Sequence, residues 1–150
     1  MRVLTVRQPY AWLIVNGYKN IENRVWRTHH RGSLLIQASA RLARNIPAIR
    51  AICESRGISL PRDFERRGIV GRANVTDCVT DHSSPWFEGP YGFVLQDATP
   101  LPFVPLVGRL GMFDFDCQPM PERRLLQSTF LLNPVRRTRY GRPLRVQFTP

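Results

Sequence analysis

V-L-T-V-R-Q-P-Y-A-W-L-I-V-N-G-Y-K-N-I-E-N-R, Val3 to Arg24, is the stretch on which the architecture turns. Val3 to Val6 reads as a short strand. Pro9 suits a first helical turn, where its missing N–H is no loss, and Ala11 to Val15 continue a helix that Gly17 stops. Asn20 to Trp26 then alternates as a strand, with Ile21 on one face and Glu22 and Arg24 on the other. This spacing gathers charge at one place, because Lys19 falls in the turn that leads into the strand and Glu22 can pair with Arg24. Of the 22 basic residues in the chain, Lys19 is the one lysine. Where positive charge alone is wanted the chain uses arginine, so two readings of Lys19 stand: a position where a guanidinium fails, in a tight space or where an amine must give up its proton, or a surface lysine left by chance.

Working outward, Ser33 to Ala38 reads as a buried strand after the T-H-H-R-G turn. Arg41 to Arg56 reads as a second helix, with Leu42, Ile46, Ile49 and Ile52 at helical spacing, Pro47 delaying or kinking it and Gly57 ending it. Ile69 to Thr80, Tyr91 to Gln96 and Met112 to Phe115 read as strands. Pro100, Pro102 and Pro105 confine Leu101 to Val107 to an edge or an irregular passage. A third helix is expected near Glu122 to Leu131, and a last strand through Leu144, Val146 and Phe148. Strands broken by two or three helices give an α+β fold with a small, mostly antiparallel barrel.

Composition bounds the function. At 150 residues the chain can bury roughly two-thirds of its unfolded surface, enough for one core. No apolar run approaches the roughly 20 residues of a spanning helix, and Met1 to Val6 lacks the pattern of a secretory signal, so the expectation is a cytoplasmic protein with no membrane partner. Cys53, Cys78 and Cys117 form no C-x-x-C pair and read as buried reduced thiols. The formal charge of +11 favours a polyanionic partner, since each neutralised phosphate releases counterions.

The octet G-Y-K-N-I-E-N-R, with the preceding L-T-V-R-Q-P-Y-A-W, resembles the ASCH domains of the PUA-like superfamily, whose signature is G-x-K-x-x-E-x-R. Gly17, Lys19, Glu22 and Arg24 match its fixed positions. R-G-S-L-L-I-Q-A-S at Arg31 to Ser39, G-P-Y-G-F-V-L at Gly89 to Leu95 and G-R-L-G-M-F at Gly108 to Phe113 follow in the family's order. The resemblance implies an ASCH domain over residues 1–118, a PUA-like β-barrel with a signature-lined cleft for RNA or another nucleic acid; the Arg-rich remainder, 119–150, falls outside the resemblance and is expected as an extension packed on the same domain. Some small bacterial relatives deacetylate N4-acetylcytidine, at least one is a metal-independent ribonuclease, and others are parts of transcriptional coactivators. In the amidohydrolase type a threonine stands where this sequence has Glu22.

Binding residues expected around the cleft are Arg7, Gln8, Lys19, Glu22, Arg24 and Arg31, with His82, Trp86 and Tyr91 from the segment Asp81 to Tyr91. Arginines would take phosphate and aromatic rings would stack on bases. Core packing competes for Trp12, a solvated turn for Arg31, polar surface for His29 and His30, and a structural loop for Asp81 to Tyr91. If the domain is an enzyme, Lys19 is base or charge stabiliser, Glu22 carries the proton, and Arg24 holds the departing oxygen. No cofactor or metal is expected, because Asp114 and Asp116 lack a third ligand. The partner is then RNA, single-stranded nucleic acid or a modified nucleoside, with Arg136, Arg137, Arg139, Arg142 and Arg145 tracking the backbone. A protein partner on Pro100 to Leu106 is the adaptor alternative.

Overall fold

A computed structural model describes residues 1–116. The domain boundary at 118, the 119–150 extension with its expected helix, strand and arginine patch, and Cys117 lie outside the described residues. The elements are β1 (Arg2–Gln8), α1 (Tyr10–Val15), β2 (Ile21–Arg24), β3 (Gly32–Leu42), α2 (Ile46–Ser55), β4 (Gly68–Val79), β5 (Tyr91–Pro105) and β6 (Met112–Asp114). One six-stranded sheet runs in the order β2-β5-β4-β3-β1-β6. Its pairings are antiparallel except β1 with β3, which lie parallel because α1 and β2 intervene as a crossover.

The expected barrel is not closed. Among the described residues the four-residue β2 pairs only with β5 and the three-residue β6 only with Arg2 to Leu4 of β1, so neither end of the sheet is long enough to meet the other. A side chain spans part of that gap, where Arg24 donates from Nη2 to the Thr5 carbonyl at 2.6 Å.

The second helix also begins later than its apolar spacing suggests. β3 carries on through Leu42, and α2 starts at Ile46, with Asn45 as its cap accepting from Ala48 N and Pro47 in the first turn. Proline is tolerated in that turn and not further inside, which is why Pro47 sets the start. β5 runs unbroken through its prolines. Beyond Val94 it has β4 on one side and no β2 on the other, so the missing N–H groups fall on an edge strand interrupted by bulges.

α1 lies against β1, β3, β4 and β5. Leu4, Val6, Ile14, Leu34, Ile36, Val75 and Phe93 make the main core between them. On the other sheet face Val3, Leu35 and Ile69 pack under Leu101, Leu106 and Phe113. Two-sided burial is the reason β1 and β3 read as continuous apolar runs. A third cluster joins Leu13 of α1 to Ile49 and Cys53 of α2. Cys53 and Cys78 are buried free thiols, and burial pushes the Cys53 thiol pKa up. No described helix is long and apolar enough to cross a membrane.

Gly71 is where sheet and helix come closest, since a Cβ there would strike the Val15 side chain and sit 2.6 Å from the Thr99 carbonyl oxygen. Backbone cannot swing aside as a flexible side chain can. Gly71→Ala is therefore expected to cost about 1–3 kcal/mol of stability, read as a lower midpoint in urea unfolding with an unchanged slope.

Candidate functional site

The signature turn is built by backbone hydrogen bonds. Gly17 N donates to Ile14 O at 2.9 Å, and Tyr18 N and Lys19 N both reach Leu13 O, which closes the helix end. Gly17 takes φ +79°, a left-handed conformation that an L side chain would resist, so the glycine of the octet is a requirement of this turn. The turn directs Lys19 inward, where it is 2% exposed. Its Nζ donates to the Ile21 carbonyl and to Glu22 Oε2 at 2.9 Å, and lies 5.3 Å from the centre of the Tyr10 ring.

Glu22 completes the arrangement. Its other oxygen, Oε1, is 3.1 Å from Arg24 Nη2, so one buried carboxylate is held between two cations. A carboxylate removed from water needs such partners, and here Glu22 is 8% exposed. Arg24 in turn reaches Thr5, so the triad links the end of α1, β2 and β1.

Glu22 and Arg24 face a cleft of about 1000 Å³ beside the open seam of the sheet. Arg7, Arg41, Arg67 and Arg109 also line it, and among the described residues Glu22 is its one acidic group. Those four arginines have no carboxylate within 4.0 Å among the described residues. Thr5, Tyr10, Trp26, Gln37 and Ser39 supply hydroxyl, aromatic and amide groups to the walls. Burial, and after it the nearby Glu88, Glu22 and Cys53, raises the Tyr10 phenol above its ordinary pKa, so it remains a hydrogen-bond donor at neutral pH.

The expected residues are distributed unevenly around this cleft. Arg7, Glu22 and Arg24 line it, while Lys19 sits behind Glu22. Gln8 is 2% exposed and engaged at both ends, donating to Glu65 O and accepting from Trp12 N, so it ties β1 to α1 and to the Glu65 segment. Arg31 donates to Asp77 at 2.8 Å on the surface. Trp86 lies under the Arg56 guanidinium, 4.4 Å from its ring centre, and its Nε1 donates to Tyr18 O. His82 accepts from Ser84 N, and Tyr91 packs on the main core opposite Arg24 in the β2–β5 ladder. That loop reaches the cleft through Gly89, because Asn23 of the signature strand clamps it by bonds to Trp86 O and Glu88 N.

Among the residues lining the cleft, Arg41, Arg67 and Arg109 were not singled out from sequence, nor were Gln37 and Trp26. Arg41 read as helical until β3 proved longer, and Arg67 belonged to an arginine-rich connection with no internal pattern. Only Arg109, inside G-R-L-G-M-F, carried a usable signal. Trp12, by contrast, stacks on Tyr18 at 5.5 Å and packs on the α2 cluster. His29, His30, Arg27 and Arg2 line a smaller pocket that shares Trp26 with the main cleft. Asp114 is engaged by Arg2. Leu101 and Leu106 pack inward, and Phe103 and Val104 remain partly exposed.

The triad's energetics follow from its burial. Removing the shared carboxylate leaves the buried Lys19 ammonium without its partner, so Glu22→Ala should destabilise by about 3–5 kcal/mol. Lys19→Met combined with Glu22→Gln, which removes both charges of the buried pair, should cost at least about 1 kcal/mol less than the two single changes added together. Denaturant titration of the three variants checks this coupling.

The family model for the ASCH domain matches residues 4–99. Activating signal cointegrator 1 of Homo sapiens is 32% identical over 82 residues, covering 51% of this chain and 14% of that protein. Its Mus musculus counterpart is 29% identical over the same length. The chain thus spans about a seventh of the length of these relatives. Among solved structures, the ASCH protein of Zymomonas mobilis is 15% identical with a TM-score of 0.48, covering 87% of this chain and 94% of that one. A single-site mutant of it gives 16% identity and a TM-score of 0.49, covering 85% of this chain and 96% of that one. With its family match spanning most of the described residues and G-x-K-x-x-E-x-R forming a buried triad of which Glu22 and Arg24 line a cleft, this chain belongs to the ASCH domain family.

Proposed function

We propose that the domain binds single-stranded RNA, or a modified nucleotide, in the cleft bounded by Glu22 and Arg24. The observation that carries this reading is the convergence of Arg7, Arg24, Arg41, Arg67 and Arg109 on one cavity with a single carboxylate among the described residues. Four exposed guanidiniums around a concavity of about 1000 Å³ make a rim suited to a phosphate backbone, and forked N–H donors match phosphate oxygens better than ammonium groups do. The formal charge of +11 adds long-range attraction for the same ligand. Trp26, lining the cleft and held edge-on to Phe93 at 5.0 Å, offers a fixed aromatic wall.

In this reading the signature residues have unequal roles. Arg24 meets the ligand, Glu22 holds Arg24 and presents an acceptor, and Lys19 acts from behind by fixing Glu22. Lys19 is a positioning residue, since its amine is enclosed by Ile21, Glu22 and Tyr10.

The test is a titration of the full chain with labelled single-stranded RNA oligomers between 50 and 300 mM salt. The logarithm of the affinity should fall linearly with the logarithm of salt concentration, by roughly 0.7 per phosphate contact. Arg41→Gln with Arg109→Gln should make that slope shallower by about 1.4. Salt-independent or undetectable binding, with this double variant indistinguishable from the parent, would count against the proposal. Chromatography of the same mixtures with EDTA present separates binding from turnover, and intact RNA and intact N4-acetylcytidine are expected.

A further inference from the structure

Three buried side-chain atoms in the described residues have no hydrogen-bond partner: Thr5 Oγ1, Arg24 Nε and Gln37 Oε1. All three belong to residues lining the arginine cleft. They are also neighbours. Thr5 and Gln37 are register partners on the parallel strands β1 and β3, which places their side chains on one face, and Arg24 touches the Thr5 carbonyl. Buried polar groups are almost always paired, so three orphans gathered on one cleft floor mark a site completed by another molecule.

The polarity of that floor is defined. Gln37 Nε2 donates to Leu106 O at 3.0 Å, which orients the amide and leaves Oε1 as an acceptor. Arg24 Nε can only donate, and the Thr5 hydroxyl can do either. Glu22 adds a second acceptor at the cleft wall. A phosphate oxygen would satisfy Arg24 and Thr5 but would oppose Gln37 Oε1 and the Glu22 carboxylate, acceptor against acceptor.

We propose that this floor takes the hydrogen-bonding edge of a nucleobase carrying an exocyclic amino group, that Gln37 determines that specificity, and that the Thr5 hydroxyl adds a contact to whichever edge atom lies beside it. The inference rests on the nucleic-acid reading above and divides the cleft, with phosphates on the arginine rim and the base on the floor. An amino group supplies the two N–H donors that Gln37 and Glu22 call for, and the adjoining ring nitrogen or carbonyl accepts from Arg24. Uracil offers a single N–H between two acceptors and is disfavoured. Gly108 lies against the Gln37 carboxamide with no room for a Cβ, and it belongs to the segment Val107 to Gly111 that covers this floor. Val107 and Leu110 are 86% and 102% exposed, so the segment gives up little packing when an entering base displaces it.

The experiment compares three probes, hexamers of ribocytidylate, ribouridylate and abasic ribose phosphate, against the full chain and its Thr5→Val and Gln37→Met variants. The cytidylate hexamer should bind tightest. Thr5→Val keeps the side chain's shape and removes an unpaired hydroxyl, so the variant should be at least as stable as the parent. Its affinity for the cytidylate hexamer should fall roughly threefold to tenfold, while the abasic probe is unaffected. Gln37→Met should erase the preference for cytidylate over uridylate. Equal binding of all three probes, still salt-dependent, overturns the base-edge assignment and leaves the arginine-rim reading standing. No binding of any probe overturns both. A Thr5→Val variant that loses stability and keeps its affinity assigns the hydroxyl to an internal water and also overturns the inference.

Discussion

A single buried carboxylate holds this site together. Glu22 lies between the Lys19 ammonium and the Arg24 guanidinium, and through Arg24 it is joined to the backbone of β1. Each member answers a need of another: the carboxylate could not remain ionised in the interior without cations, and Lys19 could not be enclosed without an anion. The triad also fastens the free end of β2, a four-residue strand that pairs with β5 alone. Side-chain chemistry here replaces the hydrogen bonds that a closed barrel would have supplied along its seam.

Leaving the seam unclosed is what gives the domain a cleft. Were β2 and β6 to meet, Thr5, Arg24 and Gln37 would lie inside a sealed core, where unpaired polar atoms have no use. With the seam open, the same residues form the floor of a cavity rimmed by guanidiniums. Arginine's dominance fits this geometry, since a planar fork can be held in place by one partner and still direct another N–H elsewhere, as Arg24 does between Glu22 and Thr5. Lysine is retained where the amine must fit between a carbonyl, a carboxylate and an aromatic face.

Local signals in the sequence were strong where backbone requirements are strict. Gly17 announced the helix end because only a left-handed residue closes that turn, and Glu22 and Arg24 were readable as partners because side chains two apart share a strand face. The late start of α2 was harder, as apolar spacing at Leu42 fits a helix and a two-sided strand equally until Pro47 is given its place in the first turn. Gln8, Trp86 and His82 show another boundary of such reading. Their types suit a ligand, but whether a polar or aromatic side chain spends its capacity on the fold depends on distant groups, here Glu65, Tyr18 and Ser84. For the same reason Arg67 and Gln37 were invisible as cleft residues: nothing near them in sequence records what faces them in space.

The long, proline-marked half of β5 has a consequence for how the domain meets other proteins. Among the described residues this strand has β4 on one side beyond Val94 and no strand on the other, and Pro100, Pro102 and Pro105 remove three N–H groups from it. Each proline withholds a donor from a ladder, which hinders another chain from extending the sheet through this half of β5. What this half of β5 offers to another protein is therefore shape and apolar contact, through the exposed side chains of Phe103 and Val104, more than a backbone ladder.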